Sequence, residues 1–373
     1  MDRKVVLTLV ESLRLGGAER LVATTVARLR EDRFLPVVAY LHGPADLAEE
    51  IRAAGVAVHE VGFRGPGDIP RAVLCVRSLV RRERVDIVHT HLYFAHVVGR
   101  LAAVGLAPVI STLHNPDYTH EAARTLRFLG RKGLDRATMA LSRPRLIAVS
   151  EEVRRDYEKH FGDRGIRVLH NCVDAAALGA EVAAVDREAE RRARGLAPSE
   201  VAFLHAGRFH RQKAHDVLLR AFALALREEP GLRLLLAGTG ALEPEMRSLA
   251  GDLALGDRVL FLGNVTRMAP LYAAADAFVF PSRYEAFGIA LLEAMVARLP
   301  AVVARVGGIP EVATEETALF VEAGEVEALA RAMVRLARDP ALQARMGAAA
   351  ARVAQRFDAS VWIPRLEAIY EEA

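Results

Sequence analysis

The stretch VAFLHAGRFHRQKAHDVLLRAFALALREEPGLRLLLAG, residues 201–238, decides the fold. Val201–Ala206 is a short apolar run that ends at a glycine and a cation. Asp216–Arg227 carries apolar residues at helical spacing, and Arg233–Ala237 is apolar again. A strand, an amphipathic helix and a second strand without polar alternation form a crossover unit. Such strands belong to parallel sheets covered on both faces.

The same rhythm runs outward in both directions. Before this stretch the strand candidates are Val5–Val10, Pro36–Leu41, Asp86–His89, Val109–Thr112, Leu146–Val149 and Arg167–Leu169. After it come Val259–Leu262, Ala277–Phe280, Ala301–Ala304 and Ala318–Val321. Helical patterns such as Ala18–Arg30 and Ile289–Ala297 lie between them. Two such series predict an α/β protein of two doubly wound domains. The break falls near residues 172–200, where the charged, helical run Val182–Gly195, flanked by Gly179 and Pro198, reads as a connector. The expected division is an N-terminal domain 1–172 and a second domain 173–356. A last helix, 357–373, contains the sole tryptophan, Trp362, and is expected to cross back to the first domain.

A chain of 373 residues exceeds one ordinary core and suits two domains of roughly 150–200 residues each. With 52% hydrophobic and 26% charged residues it has the composition of a globular protein. No run is long enough to span a membrane, and Val5–Val10 is too short for a secretory leader, so a cytoplasmic location is expected. Cys75 and Cys172 read as two buried free thiols. Residues 1–170 hold 27 Lys and Arg against 20 Asp and Glu, while the rest hold 23 against 27. A basic first half suits an anionic acceptor or an anionic lipid surface. The surplus is too modest, and aromatics at 6% too few, for a nucleic-acid binder.

Three loops carry the chemistry. Leu15-Gly16-Gly17-Ala18-Glu19-Arg20 opens a helix straight after the first strand, where glycines admit a phosphate or sugar to the backbone. Gly207-Arg208-Phe209, followed by Lys213, places two cations on one strand-to-helix loop, able to grip two phosphates. Pro281-Ser282-Arg283-Tyr284-Glu285-Ala286-Phe287-Gly288 then leads into a helix expected to begin near Glu285 and containing Glu293. Its N-terminus offers N–H groups to an anion. Gly238-Thr239-Gly240 is a poor dinucleotide fingerprint, because Glu243 takes the place of the third glycine. His89 and His91 share one strand face, as metal ligands would, but no third ligand accompanies them. No Asp-x-Asp occurs, so no metal is expected; cationic side chains and helix dipoles would replace it.

Taken together these motifs resemble the family 4 retaining glycosyltransferases of GT-B architecture. The resemblance covers nearly the whole chain in the family's order. It runs through GGAER at 16–20, VDIVHTH at 85–91, TLHNPDY at 112–118, AVSEEV at 148–153 and HNCVD at 170–174. It continues through GRFHRQK at 207–213, FLGNV at 261–265, ADAFVFPSRYEAFGIALLEAM at 275–295 and VARVGGIPEV at 303–312. It implies two Rossmann-like domains facing across a cleft, and transfer of a sugar from a nucleoside-diphosphate sugar to a hydroxyl acceptor. It also implies roles for single residues. Arg208 and Lys213 match the diphosphate pair, Glu285 the glutamate near the donor sugar, and Glu293 the one on the ribose. His114 matches the histidine near the reacting carbon. Gly16 and Gly17 match the loop that closes on the donor, and Asn264 and Val265 the loop at the base. Ala286, Phe287, Gly288 and Ile289 fall in the segment that meets the phosphates. Two positions depart from the family, Ala214 and Ala286 standing where glycine is usual. After His114, Asn115-Pro116-Asp117 replaces the usual Asp.

The expected function is retaining glycosyl transfer in cell-envelope glycan or glycolipid synthesis, without a cofactor. The alternatives are a catalytically silent sugar-nucleotide-binding subunit and a nicotinamide-dependent oxidoreductase; the missing G-x-G-x-x-G speaks against the second. The segment Thr119–Arg145 interleaves Arg124, Arg127, Arg131, Lys132, Arg136, Arg143 and Arg145 with Phe128, Leu129, Leu134 and Met139. It could lie on an anionic membrane holding a lipid-linked acceptor, or cover the first sheet.

Overall fold

The computed structural model describes residues 3–115 and 126–373. The chain divides into two compact units, one of Met1–Cys172 with Ala359–Ala373 and one of Val173–Asp358.

The first unit is built on seven strands: β1 (Lys4–Val10), β2 (Phe34–Tyr40), β3 (Ala57–Glu60), β4 (Ile87–His91), β5 (Val109–Leu113), β6 (Arg145–Ala148) and β7 (Arg167–Val168). They lie in the order β3-β2-β1-β4-β5-β6-β7 and every pairing is parallel. The chain starts mid-sheet, winds outward to β3, then returns to β4 and winds the other way. The loops after β1 and β4 therefore diverge at the carboxyl edge, where open α/β sheets bind ligands. Val6, Ile87, Ile110 and Ile147 form one core with Trp362, Ile363, Leu366 and Tyr370 of the last helix, Ala359–Glu371. That helix covers one face of the first sheet. Its Tyr370 carbonyl accepts from Lys4 Nζ at 3.1 Å, and its Trp362 indole donates to the His170 carbonyl.

The second unit repeats the plan with β8 (Val201–Ala206), β9 (Leu232–Ala237), β10 (Val259–Gly263), β11 (Ala277–Phe280), β12 (Ala301–Ala304) and β13 (Ala318–Val321). The order is β10-β9-β8-β11-β12-β13, again all parallel. Leu232, Leu234 and Leu236 of β9 are fully buried, as is Phe222 of the crossover helix His215–Glu228. The apolar stretch 201–238 thus forms the strand–helix–strand unit its pattern dictates.

Two expectations need correction, and one strand was not among the candidates. That strand is β3, at the sheet edge, which carries no continuous apolar run and leaves Ala57 and Glu60 exposed. The run Val182–Gly195 is helical, as expected, but no connector: its two helices, Ala175–Ala183 and Arg187–Ala193, belong to the second unit. Arg191 there is buried, donating to the Ala274 carbonyl and to Asp276, each at 2.9 Å. Cys172 is buried, but Cys75 is exposed. The helix Ile69–Arg82 turns Ala72, Val76, Leu79 and Val80 inward and so leaves position 75 outside.

Candidate active site

The loops after β8, β9, β10 and β11 lie side by side at the carboxyl edge of the second sheet. Backbone N–H groups stitch the first three: Gly207 donates to Ala237 at 2.9 Å, Phe209 to Thr239 at 3.0 Å and Gly238 to Gly263 at 2.8 Å. A Cβ at Gly238 would stand 2.1 Å from the Gly207 carbonyl oxygen, and one at Gly240 2.5 Å from that of Phe209. The two glycines are thus there to let the β8 loop pass, not to cradle a dinucleotide.

That loop ends in a single 3-10 turn, Arg211–Lys213. Lys213 Nζ donates to Glu285 Oε1 at 2.5 Å, and Ser282 Oγ donates to the same oxygen at 2.8 Å. The ammonium also lies 4.9 Å from the centre of the Phe280 ring. Gln212 reinforces the junction, its side chain donating to the Tyr284 carbonyl and its own carbonyl accepting from Arg283 N–H. The next residue, Ala214, is left-handed at φ +53°, a conformation that costs a residue with a Cβ roughly 1–2 kcal/mol. This accounts for the glycine usual there.

Glu285 does not start a helix. The helix runs Ile289–Val296, preceded by Gly288 at φ +94°, and residues 285–288 are a buried loop. Its carboxylate is therefore not a helix cap but the counter-charge of Lys213. Its backbone is fixed from behind: Gly308 N–H donates to the Glu285 carbonyl at 3.0 Å. A Cβ at Gly307 would come within 1.9 Å of that carbonyl oxygen. Glu293 lies in the helix, and its Oε2 accepts from the Tyr272 hydroxyl at 2.7 Å. Burial, with the Glu293 charge adding to it, pushes the Tyr272 hydroxyl well above its usual range, so it stays a donor. Arg208 and Asn264 are exposed on the stitched loops, and Val265 is half-buried. Lys213 and Glu285 are thus in direct contact, whereas Glu293 is held by a partner, Tyr272, that sequence reading did not find.

In the first unit, Gly16 and Gly17 open the helix Gly17–Val26. The buried carboxylate of Glu19 ties the preceding loop, accepting from Ser12 Oγ and Arg14 Nε at 3.2 Å each. A Cβ on Gly16 would stand 2.4 Å from Glu19 Oε2, which gives that glycine a packing reason. His114 follows β5 and is buried, with Nε2 2.9 Å from Nδ1 of His91. His89 and His91 do share a face, their ring centres 4.2 Å apart. Both nitrogens of His89 are taken, by the Tyr370 hydroxyl and by Thr112 Oγ1, each at 2.7 Å. Among the described residues no three His, Cys, Asp or Glu are placed to hold a metal. Burial lowers all three imidazoles: His89 to about 3, His114 to about 4 and His91 well below its usual value. They are neutral near pH 7. Asn115 is exposed, and Pro116 and Asp117 lie outside the described residues.

Residues 15–177 match the model described as Glycosyltransferase Family 4, and residues 186–353 the one described as Glycosyl transferases group 1. With its two parallel-sheet, Rossmann-like units, the chain belongs to the family 4 glycosyltransferases. It is 35% identical to a D-inositol 3-phosphate glycosyltransferase of Streptomyces avermitilis, over 73% of this chain and 62% of that protein. It is 29% identical to an N-acetyl-alpha-D-glucosaminyl L-malate synthase of Bacillus anthracis, over 79% and 76% respectively. Anabaena HepE, solved with UDP and glucose, superposes with a TM-score of 0.86 at 21% identity, covering 99% of both chains.

Proposed function

We propose that this protein transfers a sugar, with retention at the anomeric carbon and without a metal, from a nucleoside-diphosphate sugar to a hydroxyl of an anionic acceptor. The reading rests on one observation above the others, the Lys213–Glu285 pair closed by Ser282 at the mouth of the second sheet. A donor's diphosphate competes with Glu285 for the Lys213 ammonium. Once Lys213 turns to phosphate, Glu285 is released to accept hydrogen bonds from sugar hydroxyls. Arg208 supplies the second cation, Glu293 meets the ribose, and Asn264 and Val265 the base. The segment Ala286-Phe287-Gly288-Ile289 brings N–H groups to the phosphates, and Gly16 and Gly17 close on the donor.

In the reaction the bond from the anomeric carbon to the diphosphate breaks, and a bond to the acceptor oxygen forms on the same face. The acceptor's proton passes to the departing phosphate. The charge growing on that diphosphate is where Arg208 and Lys213 lower the barrier. His114, neutral and able to donate or accept, holds a hydroxyl near the reacting carbon. Inositol 3-phosphate and L-malate, named in the two relatives, are both hydroxylated anions, and the basic surplus of residues 1–170 suits such an acceptor.

A role in cell-envelope or glycolipid synthesis at the inner face of the plasma membrane is the form of this reading in which the anion is lipid-linked. No helix among the described residues is long and apolar enough to cross a membrane. On the helix Leu126–Ser142, Leu129 and Leu141 are 58% and 63% exposed, while Met139 and Asp135 are buried. Arg136 and Arg143 are exposed beside them. Flotation with anionic vesicles at low salt tests contact; no binding rejects it.

The reading itself is tested by a thermal-shift panel of UDP-, GDP-, ADP- and TDP-sugars. A donor at about 100 times its Kd stabilises by about 2.7 kcal/mol. No rise with any of them defeats the assignment. A rise with donor but no nucleotide release with any acceptor favours a silent binding subunit.

A further inference from the structure

We propose that His91 is a positioning residue that locks His114 in one tautomer and one ring orientation; this rests on the acceptor-side role given above to His114.

His91 Nδ1 and His114 Nε2 lie 2.9 Å apart, a hydrogen-bond distance, and both rings are buried. Between two neutral imidazole nitrogens there is room for one hydrogen. If His91 Nδ1 carries it, His114 Nε2 is an acceptor and His114 Nδ1 must bear the proton and donate. If His114 Nε2 carries it, His114 Nδ1 is a bare lone pair. The bond therefore couples the tautomers of the two rings. In each arrangement His114 Nδ1 has one fixed role, donor in the first and acceptor in the second.

The rings behind the pair keep it from rearranging. His91 packs on His89, and its ring centre is 5.2 Å from that of His114 at 33°. His89 cannot compete for the bond, since Tyr370 and Thr112 occupy its two nitrogens. Tyr370 comes from the last helix, 281 residues away in sequence, and its own ring meets His89 edge-on at 5.6 Å. The brace of His114 thus extends from β4 through to the C-terminal helix. A free imidazole at a strand end would populate both tautomers and swing about its side-chain bonds, wasting part of the oriented population.

The test uses the full chain with histidine labelled in 15N, and two substitutions. His91→Phe keeps an aromatic ring on His89 but removes both nitrogens. His91→Asn places an amide near the position of Nδ1 and is the conservative rescue. Long-range proton–nitrogen spectra of the ligand-free protein read the tautomer of His114, assigned by the signal lost in His114→Ala. The expected result is one tautomer in the native protein, a mixture in His91→Phe and one again in His91→Asn. With the donor found in the thermal-shift panel, kcat of His91→Phe should fall by about 10-fold or more while donor Kd stays within about twofold, and His91→Asn should regain most of the loss. An unchanged His114 tautomer in His91→Phe overturns the proposal, as does a fall in kcat that His91→Asn does not repair. If His114→Ala itself turns over normally, the role of His114 fails instead, whatever the spectra show.

Discussion

At the carboxyl edge of the second sheet an ammonium and a carboxylate meet at 2.5 Å; at the same edge of the first, two uncharged imidazoles meet at 2.9 Å. The topology is shared, since in both sheets the chain starts centrally and reverses between its first and fourth strands. The chemistry is not. The second edge carries full charges on tightly packed backbone loops, which suits the charged diphosphate of the proposed donor. The first edge offers imidazoles kept neutral by burial, which suits the uncharged hydroxyl of the proposed acceptor. On that proposal one fold serves two ligand chemistries by what is placed on its loops.

The sharpest way to break this contrast is at the charged pair. Lys213→Ala is expected to lower kcat/KM by about 100-fold or more, about 2.7 kcal/mol of transition-state stabilisation. Steady-state kinetics with the donor found by thermal shift measures it, and wild-type turnover would remove Lys213 from the mechanism. Next comes the support behind the pair. Gly307→Ala drives a methyl group into the Glu285 carbonyl at a residue with φ +50°. Destabilisation by about 1–3 kcal/mol in denaturant melts is expected, with transfer impaired as well. An unaltered midpoint would mean that the backbone at 285 is not held as described.

The neutral edge makes a prediction about pH. Imidazoles at about 3 and about 4 when folded, against about 6.5 when unfolded, bind protons only in the unfolded chain over the range between. Their contribution is complete above about pH 6.5 and is lost as pH falls from there toward about 4 for His114 and about 3 for His89, at up to roughly 1.4 kcal/mol per pH unit for each group. His205, at about 4, and His215, at about 2, act in the same sense in the second unit. The comparison is therefore His114→Phe against the native protein. The variant should lose less stability between pH 7 and pH 5, and equal losses would show that His114 is not held neutral. The smallest effect is expected at Ala214→Gly. Relief of the left-handed strain is offset by the freedom glycine gains when unfolded, and the midpoint should move by less than about 1 kcal/mol.

Much of the fold was legible because it is local. Val201–Ala206, Ala277–Phe280, Ala301–Ala304 and Ala318–Val321 are strands with the very bounds their apolar runs mark. β3 escaped because an edge strand need not be apolar, and the helical run Val182–Gly195 read as a connector because the contacts of its Arg191 lie 83 and 85 residues on, at Ala274 and Asp276. In the site, residue types and order pointed to Lys213, Glu285 and His114. Their partners did not show: Tyr272 lies in a different helix from Glu293, and nothing local marks it. The glycines at 238 and 240 looked like a spoiled nucleotide motif, and only the passing backbone of Gly207 and Phe209 explains them.

The sequence by itself determined the alternation of strands and helices, the two-part plan and the inventory of charged loops, because periodicity and loop chemistry act over a few residues. Tertiary structure alone decided that Glu285 answers Lys213 across 72 residues, that His114 leans on His91, and that Tyr370 reaches His89 across 281. Those pairings depend on which strands become neighbours in a sheet. That order is set by the burial of whole faces against one another, and no short window of sequence contains it.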